Sequence, residues 1–295
     1  MPTFSSYDQI GLKEDVSDII SDISPTKTPF ISLIGNEKCN ARFFEWQEDA
    51  LAAPRDNAQI EGFTAVDATL APTTLRTNNT QIFEKTVKIS ATSDAVAAYG
   101  RAKETAYQLT KAAKELKRDV ERAYVGVNQA AVTGNATVTA RRTASARAQM
   151  AAGQLIDGGA PSALSEATLL TAGQAAYNAG GEPDVFMIKP ADALIVAGFT
   201  ASAGRQRDFG NERKLVNVVD LYVSPYGEYK VVLNRWIATS TALLFDPTMW
   251  SNVTLRPWTR ENLAKTGDSN VIMMVGEMGL KHKNFNADAM IFDLT

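Results

Sequence analysis

The chain contains one histidine, His282, and one cysteine, Cys39, and this inventory limits the chemistry it can do. A zinc site built from His and Cys needs three or four such ligands, so none fits within one chain. A thiol nucleophile activated by a base would require Cys39 and His282 to meet across most of the sequence. The phosphate-cradling pattern G-x-x-x-x-G-K-[ST], the dinucleotide pattern G-x-G-x-x-G and the nucleophile elbow G-x-S-x-G are all missing. The catalytic class left open is acid–base work by carboxylates, since 33 Asp and Glu residues always allow some pairing. No cofactor and no metal are expected.

Bulk properties narrow the reading further. The net charge of −3 gives no whole-molecule field that would capture nucleic acid. Hydrophobic content of 45% and charged content of 21% are those of a globular protein with a real core. No apolar run approaches the roughly 18 residues of a membrane span, and Met1-Pro2-Thr3-Phe4 lacks the basic head and apolar stretch of a signal peptide. A single cysteine leaves no internal disulfide and fits a reducing, cytosolic compartment.

The strongest signal is a different kind of chemistry, burial. The first 62 residues carry Pro25, Pro29 and Pro54, which break helices and central strands. The same region and its edge hold Phe4, Ile19, Ile20, Phe30, Ile31, Phe43, Phe44, Trp46 and Phe63. Large apolar side chains without a local core must be buried elsewhere, on the chain's own body, on another copy, or on both. This pattern predicts an arm in a protein that assembles.

The elements that would carry the arm can be read in order. Asp15–Ile23 predicts a short helix from Val16, Ile19, Ile20 and Ile23, stopped by Pro25 and Pro29. Ala41–Gln47 reads as a strand whose return partner is Thr80–Ser90, with a long Ala-, Thr-, Pro- and Asn-rich connection between them. Residues 101–128 read as one helix of roughly 40 Å. Its seam is Ala106, Leu109, Ala113, Leu116, Val120, Ala123 and Val127, packed on a sheet. Lys111, Lys114, Glu115, Lys117, Arg118 and Glu121 fall on its solvated side, with Lys111–Glu115 and Lys117–Glu121 as i,i+4 pairs. Residues 129–182 read as loop and short helix; the stretch from Arg122 through Ile156 has no acid but holds Arg141, Arg142 and Arg147. The plain reading of these basic residues is a solvated face; the sharper one is a surface near nucleic acid.

Further on, Ser165 and Glu166 open a helix that Gly180-Gly181 ends. Residues 183–246 predict an α/β unit. Its parts are a buried strand Asp184–Ile188, a helix start at Pro190, a strand pair Lys214–Ser224 and Glu228–Asn234 around Pro225-Tyr226-Gly227, and a strand Ala242–Phe245. Residues 247–295 return to β structure. Val253–Trp258 and Asn270–Lys283 flank the turn Lys265-Thr266-Gly267-Asp268, Ala289–Leu294 closes the chain, and Gly276 and Gly279 mark a bulge or a close approach.

This order of parts resembles the major capsid proteins of tailed bacteriophages, the Hong Kong 97-type fold, in the branch with an N-terminal TPF arm. One set of residues carrying the resemblance is Gly11, Glu14-Asp15, Ile19-Ile20, Ser24-Pro25-Thr26-Lys27-Thr28-Pro29-Phe30, Gly35, Glu45-Trp46 and Leu51. The other is Val231–Arg235, Asp246-Pro247, Leu263–Asp268, Glu277, Leu280 and Asn286-Ala287. The resemblance implies an α+β capsid fold with an N-terminal arm at 1–40 and an extended β-ribbon, the E-loop, at 41–92. It further implies a peripheral domain at 93–160 and 247–295 with 101–128 as its spine helix, and an axial domain at 161–246.

What the resemblance implies for function is self-assembly through hexamers and pentamers into an icosahedral virion shell around double-stranded DNA. Assembly would take place in the host bacterial cytoplasm. Scaffold, cement and portal proteins would be separate partners, the chain beginning directly with its arm; no membrane is involved. Phe4, Pro29, Phe30, Ile31, Phe43, Phe44, Trp46, Phe63 and Phe83 would be subunit-interface residues, because aromatics dominate interfaces. The bland alternative for each is the chain's own core. Lys111, Lys114, Lys117, Arg118, Arg141, Arg142 and Arg147 would face packaged DNA through non-specific phosphate contacts. Some related capsids lock the ribbon to a neighbour by a lysine–asparagine bond; no lysine lies between Cys39 and Glu84, so this ribbon's tip cannot supply one. Two other readings are an encapsulin-like compartment, distinguished by protein cargo, and a carboxylate-dependent hydrolase, which leaves the apolar arm unexplained.

Overall fold

The computed structural model describes residues 24–96, 103–199 and 221–295. Its elements, in chain order, begin with a one-turn helix α1 (Pro29–Leu33), strands β1 (Gly35–Lys38), β2 (Phe43–Glu48), β3 (Thr74–Asn79) and β4 (Gln81–Ser90), and helices α2 (Ala91–Ala95) and α3 (Glu104–Glu121). There follow β5 (Leu155–Ser162), α4 (Glu166–Asn178), β6 (Val185–Ile188), α5 (Ala193–Ala197), β7 (Leu221–Ser224), β8 (Gly227–Leu233) and β9 (Ala242–Phe245). Three strands close the chain, β10 (Trp250–Asn262), β11 (Ser269–His282) and β12 (Ala289–Leu294). Phe4 and the helix expected at Asp15–Ile23 lie outside the described residues, as does the first part of the strand expected at Lys214–Ser224.

Among the described residues three sheets form. A four-stranded sheet has the order β1-β10-β11-β4, a six-stranded sheet has the order β5-β12-β9-β6-β8-β7, and β2 and β3 form a separate ribbon. The β10–β11 hairpin turns where Gly267 was expected to turn it. Pro257 sits where the β10–β11 register shifts, between Arg256 and Thr259, so its missing N–H interrupts no regular ladder. Gly276 faces that shift: a Cβ there would lie 2.6 Å from the Trp258 ring. In the six-stranded sheet β6 and β9 are buried at every position, as expected of apolar runs covered on both faces. Helix α4 packs against β5 and β12. It is capped as its sequence predicts, with the Ser165 hydroxyl accepting from the Thr168 N–H.

Four expectations are corrected. First, the ribbon's return strand is β3, not Thr80–Ser90: Phe43 pairs with Asn79 and Glu48 with Thr74. The later segment is β4, which pairs with β11 from Ser90↔Ser269 to Gln81↔Met278. The chain changes sheets at Thr80, whose N–H donates to the Arg42 carbonyl at 2.8 Å and whose hydroxyl donates to Glu277 at 2.7 Å. Second, the buried line of α3 runs through Ala112, Leu116 and Val120, while Ala106 and Ala113 are exposed. The helix ends at Glu121 and passes into a wider π-turn over Arg122–Gly126. Third, residues 129–182 are more ordered than a solvated loop. Ala144, Ala146 and Met150 are buried, and β5 runs parallel to β12 at the sheet's edge.

The fourth correction concerns Glu121, which is not on a solvated face. It is fully buried, and its carboxylate accepts from the N–H of Phe30 at 2.8 Å, the N–H of Ile31 at 2.9 Å and the Asn234 side-chain amide at 2.7 Å. The first amides of a helix have no partner within it, so this carboxylate caps α1 from another element. Phe30 is thereby held among Tyr124, Phe245 and Trp250 in the main core. On the outer side, Glu115 pairs with Lys85 of β4 at 2.6 Å, and that ammonium holds its carboxyl below the usual range.

Burial pushes the Glu121 carboxyl above the usual range, against the pull of its three hydrogen bonds. A group with a raised folded pKa supports the fold fully below its unfolded pKa and loses that share as pH rises through the folded value. Gln cannot titrate, and its amide nitrogen would meet a backbone N–H. Glu121→Gln is therefore expected to lose about 1–3 kcal/mol of stability near pH 4 and to close part of that gap toward pH 7. Denaturant unfolding of wild type and variant at both pH values measures it.

Candidate assembly interface

The β2–β3 ribbon has a pinned base and an uncovered tip. Strand β2 reads FFEWQE, and its alternate residues Phe44, Trp46 and Glu48 are buried while Phe43, Glu45 and Gln47 are exposed. The buried side rests on the chain's own body. Phe44 and Trp46 stack at 5.8 Å between ring centroids and pack with Val253, Cys39 and Phe285. Gly279 of β11 makes room for the Phe44 ring, since a Cβ there would come within 2.8 Å of it and 2.9 Å of the Asn79 carbonyl. Glu48 pairs with Arg76 across the ribbon at 2.6 Å, and the Arg76 guanidinium lies 4.3 Å from the centre of the Phe285 ring.

Polar groups fix the ribbon's root. Asn78 is buried; its side-chain nitrogen donates to the Leu280 carbonyl at 2.5 Å and to the Thr143 hydroxyl at 3.1 Å, and its oxygen accepts from the Ala144 N–H at 2.8 Å. Glu277, nearly buried in β11, pairs with Arg141 and Arg256 and accepts from the Thr80 hydroxyl. Buried charges without such partners would be strongly destabilising. Of these anchors only Arg141 was singled out as functional from sequence, and for DNA rather than for Glu277; Asn78, Thr80 and Arg256 were not. The signal available was the polar run Asn78-Asn79-Thr80 lying between two strand-like segments.

Beyond the base, residues 49–73 are exposed throughout. Their regular structure is a turn closed by the Phe63 N–H on the Ile60 carbonyl at 3.1 Å. Leu51 is 99% exposed, Ile60 81%, Val66 91% and Leu70 89%. The stretch carries Asp49, Asp56, Glu61 and Asp67 against Arg55 alone. Large apolar side chains left in water along one loop point to an interaction site.

The residues named from sequence divide by burial. Phe30, Phe44, Trp46 and Phe83 are buried within this chain, where they hold α1, the ribbon base and β4. Pro29 and Ile31 are half-buried. Phe43 and Phe63 stay exposed, at 41% and 55%. Among the basic residues, Lys111, Lys114, Lys117 and Arg142 are exposed. Arg141 is not free for a phosphate, because it is committed to Glu277 and, at 2.6 Å, to the Thr80 carbonyl. Arg118 lies over Trp236 at 5.3 Å and Arg147 over Phe292 at 4.4 Å. Among the described residues no cluster of three His, Cys, Asp or Glu side chains could hold a metal ion, and no helix is long and apolar enough to cross a membrane.

The seat under Phe44 makes a prediction. Gly279→Ala is expected to displace the ribbon base and lower stability by about 1–3 kcal/mol. Gly267→Ala, where a Cβ meets nothing within 4 Å, is expected to change stability by less than about 0.5 kcal/mol. Thermal unfolding of the pair gives the comparison.

Comparisons with known proteins show a family by sequence and a fold by structure. The family model described as SU10 major capsid protein matches residues 3–295. The major capsid protein of Escherichia phage Phieco32 is 35% identical, over 98% of this chain and 96% of that one. Among solved structures, the capsid of a native GTA particle superposes with a TM-score of 0.69 at 12% identity, covering 98% of both chains. The SrpI encapsulin of Synechococcus elongatus PCC 7942 superposes at 0.60 with 10% identity, covering 96% of this chain and 92% of that one.

Proposed function

Because the chain belongs to the SU10 major capsid protein family, we propose that its β2–β3 ribbon and residues 49–73 are the contact by which one subunit grips the next in an icosahedral phage head. The protein is a structural component of the virion, not an enzyme, and its fold is the Hong Kong 97 type. The observation that carries the reading is the apolar tip on a fixed base. Burying each Leu, Ile or Val side chain on a neighbour contributes about 1.5–3 kcal/mol. Repetition around a closed shell multiplies contacts that are weak singly.

In this reading residues 1–40 are the arm and 41–92 the ribbon laid over an adjacent subunit. Residues 93–160 and 247–295 make the peripheral part and 161–246 the axial part, which meets its copies in hexamers and pentamers. The contact relies on burial and hydrogen bonding rather than a lysine cross-link. Exposed Lys111, Lys114, Lys117 and Arg142 supply non-specific contacts to packaged double-stranded DNA. Scaffold, cement and portal functions fall to other proteins, and assembly takes place in the host cytoplasm. The encapsulin likeness is one of fold at 10% identity; the full-length identity of 35% to a phage capsid protein favours the phage head.

Electron microscopy with sedimentation velocity tests the proposal. Wild-type protein is expected to give shells, tubes or discrete capsomers. The double variant Val66→Ser, Leu70→Ser is expected to unfold within about 0.5 kcal/mol of wild type, because both side chains are already in water, yet to lose most of its shell yield. Unchanged shells from that variant would remove residues 49–73 from the interface.

A further inference from the structure

Six rings stand in contact from the arm to the ribbon. Phe30 of α1 meets Trp250 of β10 at 5.7 Å between centroids. Trp250 lies flat on His282, at 3.9 Å and 4° between planes. His282 is followed by Phe285 at 5.7 Å and 14°. Phe285 meets Trp46 of β2 at 6.2 Å, and Trp46 stacks on Phe44. The ends belong to two different apolar clusters, one containing Phe30 and Trp250, the other Phe44 and Trp46. His282, the chain's sole histidine, and Phe285 bridge them.

The middle of the stack is fixed by polar groups. Asp288, fully buried, accepts from the Trp250 indole N–H at 2.5 Å and lies 2.9 Å from His282 Nε2. It also accepts from the Asp246 N–H at 2.8 Å. His282 Nδ1 lies 3.0 Å from the Gln149 carbonyl oxygen. The Nδ1 contact ties the imidazole to the Gln149 backbone, while Nε2, close to Asp288 but making no hydrogen bond, is enclosed with the ring between Trp250 and Phe285. At one end Glu121 grips the amides of α1; at the other Gly279 admits the Phe44 ring.

We propose that this stack couples the seating of α1 on Glu121 to the seating of the β2–β3 ribbon on β11, so that the arm sets the pose in which the ribbon is presented. Protein interiors are close-packed, and flat rings in contact have few alternative poses, so displacing one displaces the next. The biological purpose rests on the ribbon being the assembly contact; the coupling itself is read within one chain and fails or holds separately from the shell reading.

Hydrogen exchange on the full-length chain tests it, since exchange reports local opening. Phe30→Leu is expected to speed exchange across residues 43–48 and 74–79 by roughly tenfold. Phe186→Leu makes the same change in the core under α4, which has no ring in the stack, and is expected to leave those segments within about twofold of wild type. Coupling is reciprocal, so Phe44→Leu is expected to speed exchange of the Phe30 and Ile31 amides. The proposal is overturned if Phe30→Leu leaves the ribbon unchanged, if Phe186→Leu loosens it equally, or if Phe44→Leu has no effect on the arm.

Discussion

A carboxylate removed from water must find hydrogen-bond donors, and the position of α1 follows from how Glu121 finds them. The donors are two amides that begin a one-turn helix and one side-chain amide, drawn from residues 30, 31 and 234. α1 spans five residues, too few to be stable alone, so the carboxylate and the pocket around Phe30 keep it folded. Asn234 extends the junction by accepting from the Trp236 N–H at 2.8 Å, and the Trp236 indole donates to the Lys27 carbonyl at 2.9 Å. The chain just before α1 is thus tied to the same junction as α1 itself.

Glu277 and Asp288 repeat this arrangement at two other places. Glu277 joins β11 to β10, to Thr80 and to Arg141. Asp288 joins the segment before β12 to β10 and to the end of β11. Apolar packing is non-directional and would accept several arrangements of the same strands. Buried carboxylates with fixed partners accept few, and they sit where segments distant in sequence must meet.

The sequence revealed most where structure is local. The hairpin at Gly267, the cap at Ser165, the buried runs of β6 and β9 and the close approaches at Gly276 and Gly279 each have a signature within a few residues. What was illegible depended on distant partners. Thr80 looks like the first residue of a long strand; only Glu277 and Arg42, far away in sequence, make it the point where one strand leaves the ribbon and another joins the sheet. Glu121 has the same charge as the solvated acids before it, and nothing within its helix announces the arm amides. The α3 seam slipped from Ala113 to Ala112 because both are alanines and helical spacing allows either. β5 needs β12, at the other end of the chain, to become a strand at all. For the interface, the apolar residues near the start of the chain were expected to need cover; Phe30, Phe44 and Trp46 find it within the chain, while Phe43, Phe63 and the aliphatic residues beyond Glu48 stay outside.

The absence of lysine from the ribbon's tip also determines what can attack it. Residues 49–73 form a long open loop, the kind of segment that proteases nick first, yet Arg55 is its one basic residue. A trypsin-like protease therefore meets a single cleavable bond there, before Asp56, and amine-directed reagents meet none. A surface dense with aliphatic side chains and acids is thus nearly silent to the reagents most often used to map exposed protein, and labels aimed at carboxylates are the ones that would register whether it is covered.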